Sequence, residues 1–147
     1  MGTYQIPKLQ IEVKLALTEG PVEPGIVFLT ESYRGEATLE SFLNHEEEQF
    51  FPFRKEEGQV RLINKKSVVY LVSDEKEPEQ KELLSPPIEI EVFFAHEQSV
   101  KGKIYSSLPQ DTLRVSDFIN QNDSFLAVFT EEGKFILNKD RILYVLD

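Results

Sequence analysis

The chain writes one pattern of residues twice, and that repetition limits its folds more than any other feature. The first copy runs Phe42-Leu43-Asn44, Gln49-Phe50-Phe51-Pro52-Phe53, Glu56-Glu57-Gly58 and then Val60-Arg61-Leu62-Ile63-Asn64-Lys65-Lys66-Ser67-Val68-Val69-Tyr70-Leu71-Val72. The second runs Phe118-Ile119-Asn120, Ser124-Phe125-Leu126-Ala127-Val128, Glu131-Glu132-Gly133 and then Phe135-Ile136-Leu137-Asn138-Lys139-Asp140-Arg141-Ile142-Leu143-Tyr144-Val145-Leu146. The offset falls from roughly 76 residues at Asn44/Asn120 to about 75 at Gly58/Gly133 and about 74 at Asn64/Asn138, so single-residue gaps fall in loops. Such a duplication predicts two units of about 60–65 residues each, near the lower limit for independent stability, which pack on one another.

The pattern extends upstream in both copies. Ile11 to Leu17 alternates apolar and mostly polar residues, the period of a half-buried strand. A loop holding Gly20, Pro21 and Pro24 leads to a second strand from Ile26 to Thr30. Ile88 to Phe94 and Lys103 to Ser106 repeat that pair, with Gly102 answering Gly25. Thr38 to Asn44 and Arg114 to Asn120 each predict a helix of one or two turns. Thr38 or Ser41 is the candidate cap in the first, and Ser116 in the second. Third strands follow at Gln49–Arg54 and Ser124–Thr130. Pro52 has no N–H for a ladder, so the first of these is expected at an edge or a bulge. Glu-Glu-Gly at 56–58 and 131–133 fits a hairpin with its glycine in the left-handed region. Fourth strands at Val60–Asn64 and Lys134–Asn138 turn tightly at Asn-Lys into fifth strands at Ser67–Val72 and Arg141–Leu146.

Five short strands of this kind close as a small barrel, because closure removes open edges. The expected fold is therefore all-β, two tandem five-stranded small barrels of SH3 type, each with a short helical turn. Residues 1–73 form the first, and residues 88–147 the second. Residues 74–87, charged and proline-bearing, read as a solvated linker with a candidate helical turn at Pro78 to Leu84. Residues 1–10 read as a partly extended arm.

Lys and Arg total 16 against 26 Asp and Glu, a net charge of −10, spread as −3, −3 and −4 over those three segments. Nucleic-acid affinity comes largely from neutralising phosphates, so this balance argues against a nucleic-acid partner. With no Cys, disulfides, thiol nucleophiles and Cys-ligated zinc are ruled out. No apolar run approaches a membrane span, and residues 1–10 lack a cationic-then-apolar leader pattern. Gly2 after Met1 invites a myristoylation reading, but Ile6 stands where Ser or Thr is required. A cytoplasmic location is the default expectation.

At Leu62 to Leu71 the chain resembles the second motif of Sm-like proteins, in which two strands meet at a tight polar turn, and Ile136 to Leu143 repeats the likeness. Gly102, Arg114 to Asn120, Phe125-Leu126, Gly133 and Asn138 to Ile142 together resemble a set of small uncharacterised bacterial domains with an Sm-like barrel, best over residues 88–147. The resemblance implies the barrel fold. Sm-like proteins hold single-stranded RNA with an Arg-Gly turn and an earlier Asp and Asn. Here the turn is Asn-Lys, and the earlier motif is replaced by the helical turn.

Three groups of residues carry the functional candidates. Asn64, Lys65, Lys66, Asn138, Lys139 and Arg141 offer amide and ammonium donors suited to phosphate, although turn chemistry alone also explains their composition. Phe51 and Phe53, with Tyr70 and Tyr144 on the last strands, are candidate interface residues, although the phenylalanines also suit a core. His45 beside Glu46-Glu47-Glu48 has no second histidine at ligand spacing and reads as a solvated acidic loop, so no metal is expected. No nucleophile–base motif or phosphate-binding glycine loop is present, so neither an enzyme nor a cofactor is expected. The leading expectation is a non-catalytic module that assembles with itself or another protein through edge strands. The alternative is a binder of a nucleotide or short single strand at the Asn-Lys turns.

Overall fold

A computed structural model describes residues 8–45, 47–77, 86–105, 114–121 and 123–147, apart from 31–37. The expected helical turn at Pro78 to Leu84 lies outside them, as do residues 1–7 of the expected arm.

One order of elements occurs twice along the chain. The first unit consists of β1 (Lys8–Leu17), β2 (Glu23–Thr30), α1 (Leu39–His45), β3 (Phe50–Lys55), β4 (Val60–Asn64) and β5 (Val68–Ser73). The second consists of β6 (Ile88–Phe94), β7 (Ser99–Ile104), α2 (Val115–Ile119), β8 (Phe125–Thr130), β9 (Gly133–Asn138) and β10 (Ile142–Leu146). Single 3-10 turns at Lys65–Ser67 and Lys139–Arg141 join the last two strands of each. Even the irregularities repeat. The pairing of β1 with β5 slips past Val69, and that of β6 with β10 slips past Leu143, the corresponding residue.

The ten strands form one antiparallel sheet in the order β10-β6-β7-β8-β9-β5-β1-β2-β3-β4. This corrects the expectation of barrels closed on themselves. Each unit runs last-first-second-third-fourth, its fourth and fifth strands do not pair with each other, and the sheet stays open. The units join where β5 meets β9, with Tyr70 opposite Leu137, Leu71 opposite Ile136, Val72 opposite Phe135 and Ser73 opposite Lys134. Burial gives two cores, one per unit, that interlock at this seam. Phe125 and Ile136 enter the first, and Ala16 and Val69 enter the second.

Local chemistry explains the elements. Thr38 Oγ1 accepts from Ser41 N–H at 3.1 Å and caps α1, whose Leu39 and Leu43 are buried in the first core. In α2 the cap is not Ser116. Instead Asp117 reaches back to accept from Arg114 N–H at 3.3 Å. Gly25 and Gly102 are required by close approach rather than by a turn. A Cβ on Gly25 would run into the Phe53 ring and Arg54 O, and one on Gly102 would lie 2.7 Å from Val128 Cγ1.

Pro52 sits on an interior strand, not on an edge or at a bulge. Lys65 N–H donates to Gln49 O and Lys55 N–H to Gln59 O, so odd-numbered residues of β3 bond toward β4. Pro52 therefore turns its nitrogen toward β2. That ladder stops at Val27 opposite Phe53, one residue short of needing it.

The turn between β6 and β7 holds His96 at φ 64° and Glu97 at φ 61°. Two successive positive φ values suit Asn-Gly and strain branched or bulky side chains. Replacing His96→Asn together with Glu97→Gly is expected to raise stability by about 1–2 kcal/mol. A thermal melt checks this, and an unchanged or lower midpoint contradicts it. No helix among the described residues is long and apolar enough to cross a membrane.

Candidate functional site

The two Asn-Lys turns lie side by side across the seam. Each asparagine caps its own 3-10 turn: Asn64 Oδ1 accepts from Lys66 N–H and Asn138 Oδ1 from Asp140 N–H, both at 3.0 Å. Their φ angles of −73° and −79° are ordinary, so these asparagines are suited by side-chain bonding rather than by left-handed backbone. Asn138 goes further. Buried at the seam, it donates from Nδ2 to Val68 O at 2.9 Å and to Lys65 O at 3.3 Å. Arg141 donates from Nε to Lys66 O at 2.9 Å, and its Nη2 also reaches that oxygen.

The six turn residues are thus brought together, with much of their donor capacity committed to backbone. Lys139 Nζ donates to Gln121 O at 2.9 Å, and burial holds its pKa below the ordinary lysine value while nearby Asp123 offsets part of that fall. Lys65 Nζ stands 5.8 Å from the centre of the Phe42 ring, in cation–π range. Lys66 remains exposed. Of the four cationic side chains here, Arg141 bonds across the seam, while Lys139 and Lys65 make their contacts within their own units.

A second polar lock ties the units. Lys134 on β9 is buried, and its Nζ meets both carboxylate oxygens of Glu40 on α1, at 2.6 and 2.7 Å, and Glu75 Oε2 at 2.9 Å. Sequence reasoning missed this group, because Glu40 and Lys134 are 94 residues apart and each looks like a surface charge. Glu75 belongs to the expected linker. So does Glu77, whose Oε2 accepts from the Tyr105 hydroxyl at 2.7 Å. Burial and then this bond push the Tyr105 pKa up to about 12. The linker's first residues are therefore held against the second unit rather than simply solvated. Asn44 completes the set, donating to Phe125 O at 3.2 Å and accepting from Phe125 N–H at 2.8 Å.

The aromatic candidates divide. Phe51 and Phe53, candidates for an interface as well as for the core, are buried inside the first core, because β3 turns its odd-numbered side chains inward. Phe50 is the ring that stands out, 45% exposed. Tyr70 lies in the seam with its ring centre 5.1 Å from that of Phe135. Burial raises its pKa, with Glu132 adding to the rise. Tyr144 is exposed along β10 and stacks on Phe93 at 4.6 Å. His45 offers only its backbone to description, at the end of α1, and Glu46 lies outside the described residues.

The most exposed apolar side chains collect at the two ends of the sheet. Val60 and Leu62 on β4, and Leu143, Tyr144 and Leu146 on β10, are all more than half exposed. These are the strands with a neighbour on one side only among the described residues. No family model matches the chain, and neither a curated protein nor a solved structure matches it.

Proposed function

We propose that this chain is a non-catalytic assembly module of two Sm-like, SH3-type units, which takes up a strand of another protein, or of itself, at β4 and β10. The observation that carries this reading is the pair of apolar sheet edges. An edge strand offers a row of unpaired N–H and C=O groups, and proteins that avoid association blunt it with charge, Pro or a cover. Here β4 has one charged residue, Arg61, and β10 has none. Leu62 is 70% exposed and Leu143 65%. The strand order within each unit, its separate core and the repeated bulge support the small-barrel ancestry of the units. The buried polar groups Lys134 and Asn138 are spent on holding the units together, which supports a structural rather than catalytic use. The net charge of −10 favours a protein partner over a nucleic acid.

The test uses Leu62→Lys combined with Leu146→Lys. Both positions are exposed, so stability is expected to change by no more than about 0.5 kcal/mol, while a lysine on each edge opposes strand addition. On a native gel of extract from cells expressing the chain, the unaltered protein is expected to run in a complex larger than itself, and the variant at its own size. Identical migration of the two overturns the reading.

A further inference from the structure

Resting on that reading, we infer that the partner at these edges is a second copy of this chain, β10 of one copy pairing with β4 of the next in the register already used at the internal seam. The seam joins the fifth strand of the first unit to the fourth strand of the second. Among the described residues, the two strands with a neighbour on one side only are a fourth strand, β4, and a fifth strand, β10. They are the same two surfaces, left over at opposite ends of the sheet.

Position by position the comparison holds. Ile136 is fully buried at the seam, and its counterpart Leu62 is the most exposed large apolar residue of β4. Val69 is 8% exposed at the seam, and its counterpart Leu143 is open. Phe125 is 5% exposed because α1 lies against it, and its counterpart Phe50 is exposed. The side chains that lock the seam are also in place. Asn64 stands where Asn138 stands and carries the same cap, leaving its Nδ2 to donate to Lys139 O and Ile142 O of a neighbouring copy. Asn120 stands where Asn44 stands, and its Nδ2, now bonded to Ser116 O of its own helix, would turn to Phe50 of the neighbour. The internal register of Tyr70 with Leu137, Leu71 with Ile136 and Val72 with Phe135 translates to Tyr144 with Ile63, Val145 with Leu62 and Leu146 with Arg61.

One lock has no counterpart. Val60 replaces Lys134 and Ser116 replaces Glu40, so the buried ion pair is confined to the inside of the chain. The pairing between copies is accordingly weaker than the internal one and depends on concentration. Because the contact joins two different surfaces, it continues from copy to copy until it closes into a ring or runs on as a filament.

The chain lacks cysteine, so introduced thiols report cleanly. A chain carrying Arg61→Cys is mixed with one carrying Leu146→Cys under mild oxidation. Directly opposed residues have Cα atoms about 4.5–5.5 Å apart, within disulfide reach. A disulfide-linked pair is expected in the mixture and in neither chain alone. Replacing the second chain by Tyr144→Cys moves the thiol about 7 Å along the strand and should cut the yield about tenfold. Linkage of either chain with itself would show like edges pairing and overturn the register. No linkage in any mixture, with a single-chain mass by light scattering at all concentrations, overturns self-pairing. The native-gel comparison decides the edge-strand reading separately. A larger complex lost on introducing Leu62→Lys and Leu146→Lys would keep that reading with a different protein as partner.

Discussion

Gly133→Val is expected to cost about 4 kcal/mol of folding stability. Gly133 stands at φ 137°, outside the range a side chain tolerates, which sets a strain of about 1–3 kcal/mol. A Cβ there would also strike Ser73 O and lie 3.1 Å from Ser73 C, backbone of the strand across the seam. Backbone cannot swing aside as a side chain can, so overpacking adds about 1–3 kcal/mol. Gly58, its counterpart, supplies the control. It too has positive φ, 96°, but a Cβ there meets nothing within 4 Å. Gly58→Val should lose only the strain, about 1–2 kcal/mol. Urea unfolding of both variants separates the two causes, and equal losses would remove the seam from the explanation.

Asn138→Ala is expected to cost about 3 kcal/mol, and Asn64→Ala about 1 kcal/mol. Both remove the cap on a 3-10 turn, but only Asn138 is buried and donates to Val68 O and Lys65 O across the seam. Asp in place of each residue sharpens the contrast. Asn64→Asp keeps the acceptor for Lys66 N–H and should be nearly neutral. Asn138→Asp places a buried carboxylate against two carbonyl oxygens and should be at least as damaging as alanine. If Asn138→Asp proved as mild as Asn64→Asp, the amide would not be serving as a donor.

The parts of this fold legible in the sequence are those fixed by neighbours along the chain. The alternation of Ile11 to Leu17 and the left-handed glycines Gly58 and Gly133 need no distant partner, and the structure carries both. The strand that each edge chooses was not legible. Ile136 and Leu62 read alike as apolar strand residues, yet one is sealed and the other bare. That difference comes from which strand lies alongside, information held some 60 residues away. The same limit hid which ring would stand exposed, since Phe50, Phe51 and Phe53 differ only in phase. One residue of register decides which rings enter the core. Lys134 shows the limit for charges. A buried cation is expected only where partners surround it, and Glu40 and Glu75 reach it from 94 and 59 residues earlier in the chain.

The place of β5 in the sheet has a consequence for the chain as it leaves the ribosome. Its partners β1 and β9 are made at very different times. The first unit is complete in sequence at Ser73, but β9 emerges roughly 60 residues later, about 3–12 s at ordinary synthesis rates. Throughout that interval the nascent first unit presents β5 unpaired on one side, with Val69, Tyr70 and Val72 lacking the second core they pack against. On a crowded messenger, another chain's β9 competes for the same place, so speed of synthesis bears on whether the two units of one chain find each other.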